Sequence, residues 1–543
     1  MLGTYEYGDF PMDTATFGVK PGEFMSGEVM HKYLTAYATK FGIIDKIRYK
    51  SKVLTAEHQD GPEGGWILTV QSGSSTTKIL AKKLIVATGL TSEPFLPHFE
   101  GQEEFGAPLF HGKDFLQNAD TLETSKVVTV FGGSKTAWDA VYAYGSKGIK
   151  VNWVMRETGH GPSWMAPPYV TPLKKWLEKL THTRMLTWFS PCVWGDADGY
   201  TGIRNFYHGT AIGRAITNTF WSILGGDVIS LNNYAGHPET AKLKPWSHPM
   251  FTASTFSILN YPTNIFDLIR NGTVSVHIAD IVRLSPHTVH LSNGTALETD
   301  AFVCVTGWKH VPPIKFLPEG IDAELGLPHT PLGQSEPLFT PKAVKKADDE
   351  ILARFPRLKD QPVLNKNLKP LLEMDGVSTT DKINPSTPLT PFTMYRFIAP
   401  PSERFLRTRD IAFSNFLMSF GTGIIAHVQA LWVTAYLKDQ LPARVMPPAK
   451  ARGGEEAEGA KTLEELRYET VLHARFGKWR YPAGHGVQFP DFVFDAQPYI
   501  DLLVSDLGLD VHRKAGWLAE ATEPYGVEDY RDIVAEWAGK SRA

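Results

Sequence analysis

The chain has 543 residues, a formal net charge of −3 and 42% hydrophobic residues, enough apolar material for more than one domain. That balance argues against a nucleic-acid-binding surface. The two cysteines, Cys192 and Cys304, are too far apart for a CxxC pair, so neither a disulfide scaffold nor a metal site is expected.

Met1–Asp13 is polar, aromatic and acidic, without a basic start and an apolar run, which sets the expectation of a cytoplasmic protein with no signal peptide. Met1–Lys20 has no regular period and reads as a loop laid across a surface. Gly27–Phe41 is a predicted helix with Ser26 as its N-cap. A strand is expected at Lys46–Thr55, and Trp66–Val70 with Thr77–Leu80 form a hairpin around Ser72-Gly73-Ser74-Ser75. Lys83–Gly89, KLIVATG, is a continuous apolar strand ending in small residues.

Val127–Arg156 has the pattern of a βαβ unit. Val127–Val130 runs into Gly132-Gly133-Ser134-Lys135-Thr136-Ala137, a helix follows with Ala137, Ala140, Val141 and Tyr144 at helical spacing, and Val151–Met155 is a second strand. Such a turn holds a dinucleotide pyrophosphate on backbone N–H groups at a helix N-terminus. Gly132 and Ala137 fit the first and last places of G-x-G-x-x-G/A, while Ser134 stands where the middle glycine belongs. Arg156, at the end of the second strand, suits a ribose 2′-phosphate better than a 2′-hydroxyl, which selects NADP over NAD. The expected NADP contacts are Gly132, Gly133, Ser134, Thr136 and Arg156. The alternative is a strand–helix turn that binds nothing.

Gly159–Pro168 breaks regular structure. Trp176–Gly225 is a helical, aromatic-rich insertion holding Trp188, Trp194, Phe206, Tyr207, Phe220 and Trp221, and Trp164–Trp221 reads as a lid. Val274–Val282 and Thr288–Leu291 are expected strands with Asn293-Gly294 as a turn. Asp300–Trp308, DAFVCVTGW, repeats the KLIVATG pattern, and each of the two strands is expected to carry the chain from one nucleotide-binding domain to another. Pro312–Pro401 is Pro-rich, with a helix expected around Ala343–Phe355. Phe413–Leu437 is the most apolar long window; Ser419, Thr422, His427, Gln429 and two glycines make it a buried helix rather than a membrane span. Its Gly421-Thr422-Gly423-Ile424-Ile425-Ala426 is formally a second G-x-G-x-x-A. Gly453–Lys461 reads as a polar linker. Thr462–Ala543 alternates amphipathic helices and aromatic loops, with no chemistry assigned.

Four pieces, in this order, resemble the flavin-containing monooxygenases, closest to their fungal natural-product branch: YEYGDFPM (Tyr5–Met12), KLIVATG, GGSKTAWDA and DAFVCVTGW with Thr306-Gly307-Trp308. The family's identifying stretch F-x-G-x-x-x-H-x-x-x-F/Y/W is met by Phe105, His111 and Phe115 with Ala107 in place of glycine; alternatively Phe99-x-Gly101 begins it and an insertion precedes His111. The resemblance implies an α/β fold with two dinucleotide-binding, Rossmann-like domains. The first, over 1–115 and 310–440, binds FAD; the second, over 116–309, binds NADP and carries the helical insertion at about 164–225. A helical C-terminal extension covers 441–543. The family's opening strand and GxGxxG turn, which hold the FAD pyrophosphate, are not found, so the FAD-binding domain is expected to be incomplete at its N-terminus, with open sheet edges.

The resemblance also implies FAD contacts at Lys52 and Val53 near the adenine, at Thr88 and Gly89 at the crossover, and at Gly421, Thr422 and Gly423 facing the flavin. His111 is the candidate catalytic residue near the nicotinamide, a packed loop histidine being the alternative. The implied activity is an FAD-dependent monooxygenase that uses NADPH and O2 on a small organic, polyketide-like substrate, with no stable membrane insertion. The rivals are a catalytically impaired NADP-binding remnant and a flavin-dependent reductase without oxygen transfer.

Overall fold

Val127–Phe131 is buried along nearly its whole length, as a strand covered on both faces must be. It lies at the centre of a five-stranded, all-parallel sheet in the order Val274–Ile278, Lys150–Met155, Val127–Phe131, Ala301–Cys304, Leu109–His111. The helix Lys135–Gly145 packs one face with Ala137, Trp138, Ala140, Val141 and Tyr144. The computed structural model from which this fold is described covers residues 2–61, 64–170, 175–362, 365–449 and 459–540. Most of the expected linker Gly453–Lys461 lies outside the described residues.

The predicted strand Val274–Val282 is two strands. Val274–Ile278 joins the parallel sheet, and Ile281–Ser285 opens an antiparallel meander with Thr288–Leu291 and Ala296–Glu298. The break falls where the Ala279 N–H donates to the Met155 carbonyl and Asp280 turns its carboxylate to the Thr158 hydroxyl. The expected turn is there, with Gly294 at φ +86°.

A second unit is built on Ser51–His58, five residues later at its start than the expected strand because Ile44–Lys46 forms a 3-10 turn and Lys50 takes a positive φ. Ser51–His58 pairs antiparallel with Trp66–Ser72, which forms the expected hairpin with Ser75–Ala81, and parallel with Lys315–Leu317. Leu84–Val86 runs parallel to Ile411–Phe413, and Ile85 is 52% exposed. The two expected crossovers lie side by side. Phe95 N–H donates to the Gly307 carbonyl, Lys309 N–H to the Glu93 carbonyl, and Thr306 Oγ1 to the Phe95 carbonyl. They form one double linker between the sheets. The Pro-rich stretch returns over the five-stranded unit: Val377–Ser378 pairs with His98–Phe99, and Lys369 N–H donates to the Thr158 carbonyl.

The apolar helix Thr422–Leu437 is buried on nearly every side. Its core is shared with Trp194 and Trp221 of the insertion and with Phe476, Tyr499 and Ile533 of the C-terminal extension. Within the stretch expected to break regular structure, Trp164–Ala166 forms a short parallel pair with Phe256–Ile258. Among the described residues, no helix is long and apolar enough to cross a membrane.

Candidate functional site

The five-stranded sheet reverses its strand order between Val127–Phe131 and Ala301–Cys304, and an open α/β sheet binds ligands beyond the carboxyl ends of its strands at that point. The turn Gly132–Thr136 stands there. Gly132 has φ +135°, and a methyl group on it would lie 2.6 Å from the Val305 carbonyl oxygen, so only glycine fits. A methyl group on Gly133 would lie 2.7 Å from the Gly161 carbonyl oxygen, and Ser163 N–H donates to the Gly133 carbonyl at 3.0 Å. The loop Gly159–Ser163 therefore crosses this side of the turn. Ser134 and Thr136 are exposed at the start of the helix, and the Ser134 hydroxyl is not spent on capping it. The helix N-terminus is thus open to an anion. Arg156 leaves the neighbouring strand on the same side; its Nη1 donates to the Lys369 carbonyl at 2.9 Å and to Thr158 Oγ1 at 3.3 Å. The Pro-rich stretch, through Lys369, is thereby part of the surroundings of Arg156.

Thr88 and Gly89 follow the parallel strand Leu84–Val86, and Ser414 and Asn415 follow its partner. Both strands point their carboxyl ends the same way. Thr88 Oγ1 and Asn415 Oδ1 are buried side-chain oxygens with no hydrogen-bond partner among the described residues, although Asn415 N–H donates to Gln429 Oε1 at 2.9 Å. Buried polar atoms are rarely left unpaired, so this pair fits a polar ligand across the two strand ends. Nothing stands within 4 Å of a methyl group built on Gly89. Lys52 and Val53 lie near the start of Ser51–His58, opposite Gln71 and Val70.

Gly421, Thr422 and Gly423 begin the helix Thr422–Leu437, but the two glycines meet protein. A methyl group on Gly421 would lie 2.4 Å from His182 Nε2, and one on Gly423 would lie 3.1–3.2 Å from the carbonyl oxygens of Thr4, Tyr5 and Glu6. Close packing accounts for both glycines. The segment Tyr5–Met12 is laid across the helix Gly27–Lys40, where the Tyr33 hydroxyl donates to the Phe10 carbonyl at 2.6 Å and accepts from Tyr7 N–H at 2.7 Å. At its other end Glu178 of the insertion accepts from the Tyr5 and Thr4 hydroxyls at 3.1 and 3.2 Å. Three parts of the chain that are remote in sequence meet at this helix N-terminus. His182, Glu178 and Asn415 belong to no motif, so no local pattern in the sequence marks them. Asn415 had one usable signal: it closely follows an apolar strand.

His111 ends the strand Leu109–His111, opposite Cys304, and its ring meets the Trp308 indole edge-on at 5.1 Å. The histidine and the second Thr-Gly segment are thus brought together. Nδ1 accepts from Lys113 N–H at 3.1 Å, and burial lowers the pKa of the ring, so His111 is neutral near pH 7.

Residues 9–187 match the family described as pyridine nucleotide-disulphide oxidoreductase. Cys192 and Cys304 are both free and buried, so they do not form a dithiol pair. An FAD-dependent monooxygenase of Aspergillus nomiae is 32% identical, over 98% of this chain and 88% of its own length. One from Aspergillus sclerotiorum is also 32% identical, over 100% of this chain and 89% of its own. The closed crystal structure of a cyclohexanone monooxygenase superposes with a TM-score of 0.50 at 13% identity, covering 99% of this chain and 88% of that one, which supports the two-unit α/β fold. With two nucleotide-type units, a double linker and relatives that match end to end, the chain belongs to the FAD-dependent monooxygenases and is an oxidoreductase of that family.

Proposed function

We propose that this enzyme takes electrons from NADPH through FAD and uses O2 to oxygenate a small organic, polyketide-like substrate in the cytoplasm. The observation that carries the NADPH part is the turn Gly132–Thr136 at the sheet's switch point with Arg156 on the adjoining strand. In this reading the backbone N–H groups after Gly132, with the Ser134 and Thr136 hydroxyls, bind the pyrophosphate. Arg156 takes the 2′-phosphate with the donors that Lys369 and Thr158 leave free. Thr88, Gly89 and Asn415 supply the polar contacts on the FAD side, with Lys52 and Val53 toward the adenine. FAD supplies the electron transfer and the activation of oxygen. The residues' own tasks are binding, orientation and exclusion of water, for which the aromatic insertion that shares its core with the C-terminal extension is suited.

One observation favours a second reading, an NADP-binding protein without flavin chemistry: the start of the helix Thr422–Leu437 is packed by His182 and the Thr4–Glu6 carbonyls. One experiment separates the two. The purified chain is incubated with FAD and gel-filtered, and its visible spectrum and NADPH-dependent oxygen uptake are recorded. Retained flavin with oxygen uptake is expected. Retained flavin that NADPH reduces without oxygen transfer to any substrate would leave a reductase, and no retained flavin would leave the second reading.

A further inference from the structure

The helix Ala211–Asn232 lies at the end of the aromatic insertion. Its buried residues, Gly213, Thr217, Trp221, Gly225, Val228 and Asn232, recur on one face. The opposite face is apolar as well. Ile212, Ile216 and Ile223 are 70%, 41% and 67% exposed there, with the exposed small residues Ala215, Thr219, Ser222 and Gly226 among them. The Thr219 and Ser222 hydroxyls donate to the Ala215 and Asn218 carbonyls, both at 2.9 Å, so this stretch can lose water without stranding either hydroxyl. The only charged residues of the helix, Arg214 and Asp227, are half-buried at the margins of the face. A helix face meant for water carries charged and polar side chains, and a run of exposed isoleucines marks a contact surface.

We propose that this face pairs with the same face of a second copy of the chain, the two helices running antiparallel and crossing at Thr219. The residues are arranged symmetrically about that position. Ile212 and Gly226 lie seven residues to either side of it, Ala215 and Ile223 four, Ile216 and Ser222 three. A two-fold axis at Thr219 therefore sets every isoleucine level with a small residue of the other copy, the self-complementary pattern that an isologous interface requires. Nothing stands within 4 Å of a methyl group built on Gly226, so the recess there is open. Small residues at the crossing let the helix axes approach to about 8 Å. The exposed parts of these residues amount to roughly 600 Å² per copy, and about 1,200 Å² for the pair reaches the lower end of specific interfaces. A membrane surface is the poorer occupant. Interfacial helices carry several Lys and Arg beside their apolar face, whereas this helix has Arg214 alone, and its Nη1 donates to the Gly209 carbonyl at 2.9 Å.

The test is the mass of the full-length chain in solution, read by light scattering on gel filtration over a range of concentrations. A dimer of twice the 60.4 kDa chain is expected. Ile216→Glu and Ile223→Glu, which put charge into the apolar contact, are each expected to weaken it about tenfold or more. Thr219→Cys lies on the axis and is expected to form an intermolecular disulfide on oxidation. Both native cysteines are buried, so the cross-link reports this position; Leu80→Cys, 81% exposed on the hairpin, is expected to form none. A chain that stays monomeric overturns the proposal, as does a dimer that survives both glutamates or leaves Thr219→Cys without a cross-link. A monomer that floats with phosphatidylcholine vesicles, and no longer does so as Ile216→Glu, overturns it in favour of a membrane surface.

Discussion

On the proposed reading, Arg156 is the residue at a strand end that decides cofactor choice. Its guanidinium leaves the carboxyl end of Lys150–Met155 and has one Nη1 committed to the Lys369 carbonyl and to Thr158, whose own hydroxyl is held by Asp280. A planar fork anchored through one nitrogen is oriented for bidentate contact with a phosphate by the rest. Arg156→Ala is therefore expected to weaken NADPH about tenfold or more while leaving NADH within about twofold. Titrating both nucleotides against the variant checks this, and equal losses would remove Arg156 from the role. The strand pattern and the charge of this residue were legible in the sequence. Its anchor was not, because Lys369 is 213 residues away in a Pro-rich stretch without period. His111 was legible through the family's identifying stretch, not through its contact with the Trp308 indole. Its neutrality was not, since that depends on burial.

Among the elements, the Gly-rich turn is held to its path from two sides. Gly132 passes the Val305 carbonyl at a φ that an L side chain rarely adopts, and the Trp153 indole donates to the Gly132 carbonyl at 2.8 Å. Gly132→Ala is expected to cost about 3 kcal/mol or more of stability, through strain and a carbonyl clash together. It should also abolish NADPH binding. Urea melts with and without NADPH measure both, and a variant as stable as the parent would show that the turn relaxes freely. The whole βαβ unit could be read from sequence because its signals are local: a strand period, a glycine turn and a helical stripe. The start of the helix Thr422–Leu437 could not. Its formal G-x-G-x-x-A is satisfied in space by His182 and the Thr4–Glu6 carbonyls, and no local pattern marks those partners. The break within the expected strand Val274–Val282 is illegible for a similar reason, because it is fixed by hydrogen bonds to Met155 and Thr158.

At the scale of the molecule, the insertion and the C-terminal extension are joined by buried polar groups as well as by apolar ones. Arg184 of the insertion is paired with Asp501 and with Glu520 of the extension, the latter at 2.7 Å, all nearly excluded from solvent. Asp495 lies at the centre of a second cluster. It accepts from the Ser190 hydroxyl at 2.6 Å and from the Tyr481 hydroxyl, while Arg480 donates to Ser190 Oγ at 2.8 Å. Burial pushes the Asp495 carboxyl up to about 6, against the pull of Arg480, the Ser190 bond and Arg204. In the unfolded chain an aspartate titrates near 4. Between about pH 4 and 6 the folded chain therefore holds a proton that the unfolded chain has released, and stability falls as pH rises through that window. Asp495→Asn keeps the shape and removes the titration. Relative to Asp495→Asn, the parent is expected to lose about 2 kcal/mol between pH 4.5 and 7.5. Urea midpoints of both chains at the two pH values measure that difference, and a gap that stays constant would mean that Arg480 holds the carboxylate charged throughout. If the gap opens as expected, the joint between insertion and extension tightens in mild acid. The start of the helix Thr422–Leu437 would tighten with it, because the core of this helix is shared with both segments.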